Sequence, residues 1–209
     1  MKNLGFNPEM IIDVGAYRGE FTDLCMELWG KKPIICCEPL ASRVSELKTK
    51  YHAEKNIQII DGLVGATNHD NVVLNESETA SSVLHEHFDQ GFATSQHQMR
   101  TIDTILKSTG TKPTQILLKI DVQGYELEVL KGAIETLGHV DAILMEINVL
   151  DIHVNAPLLH DVVAWLSQRN FVTYDISGIT RRPHDYALWQ LDLIFIPLNS
   201  KLRNNKQWA

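Results

Sequence analysis

The chain has 209 residues, 44% of them hydrophobic, which is enough to bury one sizeable core, and we expect a single domain over residues 1–209. Its formal net charge of −7 argues against a nucleic-acid partner, because binding to a phosphate backbone requires a basic surface. The sequence shows no membrane span, no apolar signal region and no disulfide framework among its three cysteines, so we expect a cytoplasmic protein.

The first elements along the chain are an apolar strand that ends at Asp13, a loop with Gly15 and Gly19, and an amphipathic helix. A glycine loop between a strand and a helix lets backbone N–H groups approach a ligand that a Cβ atom would repel. The middle glycine of the G-x-G-x-x-G pyrophosphate loop is missing, because Ala16 and Tyr17 follow Gly15. The pattern D-x-G-x-x-x-G therefore favours an S-adenosylmethionine (SAM) loop over a pyrophosphate loop.

Two further strands follow, each ending in an acidic residue. The run IICCEP predicts a strand buried on both faces that ends at Glu38 and Pro39, and IQII predicts a third strand before Asp61 and Gly62. Glu38 stands where a carboxylate accepts hydrogen bonds from both hydroxyls of a ribose, although such a residue also caps helices. Asp61 is placed to accept from an adenine amino group, although Asp-Gly is also an ordinary turn. Pro39 and Gly62 adjoin these acids, and we assign them to the same cofactor site.

The segment over residues 75–98 is polar and rich in Ser, Thr, Gln and His. It is too long for an ordinary connection, so we predict a mobile loop that is either a functional lid or a disordered insert. Within it, Ser81 and Ser82 either line the cofactor site or cap a turn. His85 and His87 have no third ligand at a recognisable spacing, so we predict no metal site there.

The second half of the chain contains four more predicted strands, at QILLKI, DAILMEI, FVTYDI and LDLIFIP. Seven strands alternating with helices predict an α/β fold: a doubly wound, mostly parallel sheet with helices on both faces and the last strand inserted antiparallel beside the fifth. Ligands of such sheets bind outside the carboxyl ends of the strands. We therefore expect one crevice to be faced by five strand-end acids, which are Asp13, Glu38, Asp61, Asp121 and Glu146.

Four residues near these strand ends are candidates for catalysis, and Asp121 is the first candidate for a general base because it ends the strand next to the predicted cofactor site. Lys119 and Asp121 place opposite charges on an otherwise apolar strand, which costs stability unless they pair with each other or bind something. Burial would raise the pKa of Glu146, which suits a proton acceptor. His153 is a further candidate base, with a solvated loop histidine as the simpler interpretation. A divalent ion between Asp121 and Glu146 is an alternative, but two carboxylates are too few to argue for a metal site.

The sequence resembles the FkbM family of SAM-dependent methyltransferases over residues 4–197, in the runs IIDVGAYRGEFT, CCEP, ASSVL, RTIDTIL, LLKIDVQGYELEVLKGA, LMEIN and QLDLIF. The resemblance implies a Rossmann-like class I methyltransferase fold, SAM as cofactor and O-methylation of a hydroxyl, commonly on a sugar of a glycan, lipopolysaccharide or natural product. By motif it assigns Asp13, Gly15, Ala16, Tyr17 and Gly19 to the methionine part of SAM, Glu38 to the ribose, and Asp121 and Glu146 to the transferred methyl. Tyr17 departs from the asparagine often seen at its position.

Two other classes of protein stay open at this point. A nicotinamide-dependent oxidoreductase would share the sheet and Glu38, but it requires the G-x-G-x-x-G loop. A non-catalytic nucleoside-binding protein would keep the fold without needing charges at both Asp121 and Glu146. The sequence does not fix the acceptor, a small molecule or a glycan, or the oligomeric state, for which a homodimer is one option.

Overall fold

A computed structural model describes residues 1–76, 81–85 and 93–208. In chain order its strands are β1 (Met10–Val14), β2 (Ile34–Glu38), β3 (Ile57–Asp61), β4 (Leu63–Val64), β5 (His69–Glu76), β6 (Ala93–Arg100), β7 (Ile116–Ile120), β8 (Val140–Asn148), β9 (Phe171–Arg181) and β10 (Leu188–Pro197). Its α-helices are α1 (Glu20–Trp29), α2 (Ala41–Lys50), α3 (Ile102–Ser108), α4 (Glu126–Lys131) and α5 (Leu159–Ser167). Within the described residues, no helix is long and apolar enough to cross a membrane.

The main sheet has seven strands in the order β3-β2-β1-β7-β8-β10-β9. The first five strands in this order pair in parallel, whereas β10 lies antiparallel between β8 and β9. This arrangement confirms the predicted α/β sheet and its inserted last strand. The direction of strand progression reverses between β1 and β7, so their carboxyl ends form the switch point at which such sheets bind ligands.

Helices cover both faces of this sheet, as the alternating pattern predicts. On one face α1 and α2 pack against a cluster that contains Ile11 and Leu117, and on the other face α3, α4 and α5 pack against a cluster that contains Ile12 and Leu118. All five residues of β1 and of β2 are buried. Strands covered on both faces need apolar side chains in both directions, which explains the continuous apolar runs.

The region over residues 75–98 is not the single mobile loop that the sequence predicts. Strand β5 pairs antiparallel with β6, and β6 pairs in parallel with β4, so a second, three-stranded sheet has the order β4-β6-β5. Leu74 and Met99 pack beneath it against Leu63. Most other side chains of β6 are at least partly exposed, and its polar composition therefore resembles that of a loop. The remainder of the predicted loop, including His87, lies outside the described residues.

Candidate active site

A cleft opens at the carboxyl ends of β1, β2 and β7. The empty space inside it is about 780 Å³, a figure that includes open solvent at the mouth of the cleft. Six residues that the sequence assigns to the cofactor line this cleft, namely Gly15, Tyr17, Glu38, Pro39, Gly62 and Asp121. The structure thus brings the glycine loop, the end of β2 and the end of β7 together in one place.

The glycines of the loop after β1 accommodate contacts within the protein. Gly15 has φ +76°, and a Cβ atom there would overlap the carbonyl oxygen of Asp121. Gly19 has φ +79°, and a Cβ atom there would overlap the hydroxyl of Tyr51. From the sequence, we expect these glycines to make room for a ligand. In the structure, the group that approaches each glycine is another part of the chain.

Backbone N–H groups of the loop are also used internally. Gly15 and Ala16 donate to the carbonyl of Cys37 over 3.0 and 3.1 Å, and Tyr17 donates to Glu38 Oε2 over 2.8 Å. The predicted cradle of N–H groups for a ligand is therefore wrong at these three residues. Ala16 and Gly19 do not line the cleft, whereas Tyr17, with φ +48°, forms part of its wall.

Glu38 is fixed at the cleft wall by two backbone N–H groups. Tyr17 donates to its Oε2, and Leu40 donates to its Oε1 over 2.9 Å. Burial raises the pKa of Glu38, although these two hydrogen bonds act in the opposite direction. A carboxylate offers about four acceptor positions, so Glu38 can accept further hydrogen bonds from a ligand in the cleft.

Lys119 connects Asp13, Gly15 and Asp121. Its Nζ donates to the carbonyl of Gly15 over 2.6 Å and lies 3.3 Å from Asp13 Oδ1 and 3.5 Å from Asp121 Oδ2. Burial acts to lower the pKa of Lys119, but the two aspartates outweigh it, and the pKa is raised. Asp13 is fully buried and also accepts from the hydroxyl of Thr22. The geometry is that of a structural ion pair, one of the alternatives left open for Lys119.

Gln123 bridges the two acids at the ends of β7 and β8. Its Nε2 donates to Asp121 Oδ1 over 3.0 Å and to Glu146 Oε1 over 2.7 Å. Burial and the nearby Asp121 carboxylate raise the pKa of Glu146 to about 7, in the direction predicted from the sequence. An amide group lies between the carboxylates, which favours a hydrogen-bonded pair over a shared divalent ion. Among the described residues, no group of three or more His, Cys, Asp or Glu side chains is arranged to hold a metal.

The expectation that five acids face one crevice is wrong for two of them. Glu38 and Asp121 line the cleft, and Glu146 is connected to it through Gln123. Asp13 is buried behind the cleft wall, and Asp61 lines a separate groove along α2.

Ser82 has a structural role in the segment over residues 81–85. Its hydroxyl donates to the carbonyl of Gln123 over 2.7 Å and accepts from the N–H of Leu84. The neighbouring Ser81, rather than Ser82, lines the cleft. Ser82 therefore fastens this segment to the turn after β7.

His153 is buried, which corrects the interpretation as a solvated loop histidine. Its ring packs beside Gly124, where a Cβ atom would lie 3.2 Å from Nδ1. The described wall of the cleft does not include it. A role as a base stays a prediction that these contacts do not support.

Sequence reasoning missed two groups of residues at the site. The first is the amide pair Gln123 and Gln190, both of which donate to Glu146. The second is an apolar wall contributed by the region of the second sheet, made of Leu63, Val64, Leu74 and Val83. The position of Gln123 inside the run KIDVQGYE was the available signal, because a polar residue there adjoins Asp121.

The sheet order, the inserted antiparallel strand and the cleft at the switch point define a Rossmann-like class I methyltransferase fold. The family model described as the methyltransferase FkbM domain matches residues 13–173. The chain belongs to this family.

Solved structures share this fold at low sequence identity. A methyltransferase FkbM from Methylobacillus flagellatus KT has a TM-score of 0.59 and 20% identity, over 90% of this chain and 43% of that one. An uncharacterized protein from Listeria monocytogenes serotype 4b has a TM-score of 0.54 and 11% identity, over 100% of this chain and 69% of that one. Magnesium protoporphyrin IX methyltransferase from Synechocystis PCC 6803, with bound SAM, has a TM-score of 0.50 and 11% identity, over 94% of this chain and 73% of that one.

The chain spans less than half the length of the Methylobacillus protein. No curated protein matches the sequence.

Proposed function

We propose that the chain is a SAM-dependent O-methyltransferase whose acceptor is a hydroxyl on a sugar of a glycan, lipopolysaccharide or glycosylated natural product. Membership of the FkbM methyltransferase family supports methyl transfer. The observation that carries the assignment to this cleft is the buried Glu38 carboxylate, fixed by two N–H groups at the wall.

The residues of the cleft fit SAM. Glu38 is placed to accept from ribose hydroxyls, and the apolar side chains of Leu63, Val64 and Leu74 offer a surface for an adenine ring. The carboxylates of Glu38 and Asp121 suit a positively charged ligand. When bound, SAM supplies an electrophilic methyl group on a positively charged sulfur.

The contribution of the chain to the reaction is positioning and removal of a proton. Holding an alcohol oxygen in line with the methyl carbon contributes ~7–11 kcal/mol through avoided loss of entropy. A base adds a factor of ~10²–10⁴. Asp121 and Glu146 are the candidate bases, and Gln123 donates a hydrogen bond to each of them.

The donor assignment predicts that Glu38→Ala weakens SAM binding. The loss of hydrogen bonds to a charged group costs about 1.5–3 kcal/mol, or ~10- to 150-fold in Kd. Isothermal titration calorimetry with SAM measures it, and Glu27→Ala on the exposed face of α1 is the matched control. Thermal melts show whether each variant is folded. Unchanged SAM affinity in Glu38→Ala would contradict the assignment, and a wild-type protein that binds NAD but not SAM would overturn the function.

The acceptor class needs its own measurement. Incubation of the wild-type protein with methyl-labelled SAM and a panel of free sugars, glycans and glycosylated small molecules should label a hydroxyl, which mass spectrometry locates. Label found only on nitrogen or carbon atoms of the acceptors would refute O-methylation.

A further inference from the structure

Glu146 receives two amide donors on one of its two carboxylate oxygens. Gln123 Nε2 lies 2.7 Å and Gln190 Nε2 lies 2.8 Å from Oε1. Among the residues that the structure describes, none donates to Oε2. We propose that Gln123 and Gln190 are positioning residues that hold Glu146 as the proton acceptor of the reaction, with Oε2 left for the acceptor hydroxyl. This inference rests on the proposed methyl transfer and assigns its base.

The strand register explains why the two amides reach Glu146 from opposite sides. Ile120 of β7 pairs with Met145 of β8, so Asp121 and Glu146, the next residues, are neighbours on one face of the sheet. On the other side of β8, Asp192 of β10 is the direct partner of Glu146, and Gln190 lies two residues away on the same face. A carboxylate held from β10 on one side and from the turn after β7 on the other has little freedom to rotate.

The hydrogen bonds of Asp121 contrast with those of Glu146. Gln123 donates to Asp121 Oδ1, and Lys119 Nζ lies 3.5 Å from Asp121 Oδ2, so both oxygens of Asp121 have partners within the protein. Both donors of Glu146 lie on the same oxygen instead. Glu146 therefore has an oxygen to offer to a substrate proton, and Asp121 is the weaker candidate, although the sequence favoured Asp121.

The charged groups around Glu146 also suit a base. Four charged groups interact with it electrostatically, namely Lys119 of β7, Asp121 directly after β7, Asp192 of β10 and Glu126 of α4, so acids outnumber the single lysine. Burial, Asp121 and Asp192 raise the pKa of Glu146 to about 7, and the Gln123 amide and Lys119 act in the opposite direction. A base with a pKa near the working pH is the most efficient proton acceptor.

The proposed step balances in atoms and electrons. The acceptor oxygen gives its proton to Glu146 Oε2 and forms a bond to the methyl carbon, while the carbon–sulfur bond breaks and leaves its electron pair on sulfur. The products are a methyl ether, S-adenosylhomocysteine and a protonated Glu146, which returns its proton to water.

The test is a titration of Glu146 itself, which requires no acceptor. Wild-type protein labelled with ¹³C at glutamate carboxyl groups is titrated in the presence of S-adenosylhomocysteine, and the Glu146 resonance is assigned by its loss in Glu146→Gln. Gln190→Met keeps the length of the side chain and removes its donor. We expect the midpoint of Glu146 to rise by about one pH unit, because a hydrogen bond to the charged form is lost.

A second variant and a matched control keep the result interpretable. Gln123→Met should shift the same resonance upward, whereas Gln58→Met, on the exposed side of β3, should leave it unchanged. SAM affinity by calorimetry should stay within about twofold in Gln190→Met, because this residue lies outside the cofactor cleft. With an identified acceptor, kcat should fall and the acidic limb of its pH profile should move upward.

The possible failures are distinguishable. If the titration midpoint of Glu146 moves in neither Gln190→Met nor Gln123→Met, the proposal that these two amides hold Glu146 is overturned, whether or not the protein binds SAM. A wild-type protein that does not bind SAM overturns the proposed function, and the titration then still reports whether the two amides control Glu146.

Discussion

Replacing Lys119 with methionine tests whether this lysine is structural or catalytic. Methionine keeps most of the apolar stem and removes the ammonium group. In the folded protein that group lies 3.3 Å from a fully buried Asp13 and donates to the Gly15 carbonyl over 2.6 Å. Its removal leaves a buried carboxylate with only the Thr22 hydroxyl as donor among the described residues.

The expected loss is large because one charge of a buried pair stays behind. Removing one partner of a buried ion pair costs about 3–5 kcal/mol, against a total unfolding free energy of about 5–15 kcal/mol for a typical domain. The raised pKa of Lys119 means that this contribution is present below about pH 10 and is lost only as pH rises through the folded-state value. Asp13→Asn in the same chain removes the unpaired charge and keeps an oxygen for Thr22. The double variant should therefore recover more than half of the loss.

Urea unfolding at pH 7, followed by circular dichroism, measures these differences. Lys107→Met is the control, because Lys107 pairs with Glu135 at an exposed position and its loss should cost less than about 1 kcal/mol. A loss below about 1 kcal/mol in Lys119→Met would refute the structural role. A double variant no more stable than Lys119→Met would refute the explanation by the buried charge of Asp13.

Two further outcomes follow from the acids at the site. Burial raises the pKa of Glu126 to about 7, so the folded state holds a proton that the unfolded chain releases near pH 4.5, and stability falls as pH rises from about 5 to 8. Glu126→Gln keeps an acceptor for the Gly124 N–H and should add up to ~3 kcal/mol to the unfolding free energy at pH 8 but little at pH 4. Urea unfolding at both pH values measures this, with Glu128→Gln as control. A variant whose unfolding free energy falls between pH 4 and pH 8 as much as that of the wild type would contradict the prediction. Because the Gln123 amide lies between Asp121 and Glu146, methyl transfer should keep its rate after treatment with EDTA, and activity lost to EDTA and restored by Mg²⁺ would show otherwise.

The main sheet could be predicted because its strands are covered on both faces. Strands such as Ile34–Glu38 and Ile116–Ile120 are nearly continuous apolar runs, a pattern that polar loops do not share. The strands of the second sheet have only a weak hydrophobic pattern in the sequence. In β6 only Met99 is fully buried, so seven of eight positions tolerate polar or small side chains, and a partly exposed hairpin has the composition of a loop.

The candidate site was predictable where its residues follow the ends of strands, and unpredictable where it depends on distant pairs. Glu38 was found because it ends β2 directly after an apolar run. The bond from Gln190 to Glu146 spans 44 positions and depends on the antiparallel insertion of β10 in one register. Asp61 was predicted to face the crevice because it ends a strand. It ends the edge strand β3, however, and lines a separate groove beside α2.

The two most informative motifs of the sequence meet in a single contact. Gly15 must lack a Cβ because the carbonyl of Asp121 approaches it, and its own carbonyl accepts from Lys119, 104 positions away. The same approach brings Asp13 and Asp121 within reach of one ammonium group. The D-x-G and K-x-D motifs are therefore complementary halves of one junction between β1 and β7, and the Lys119 and Asp13 variants test that junction as a unit. If the effects of the Lys119 and Asp13 variants on the unfolding free energy simply add, the charges do not hold the two strand ends together. The position of Asp121 at the cleft wall would then need another explanation.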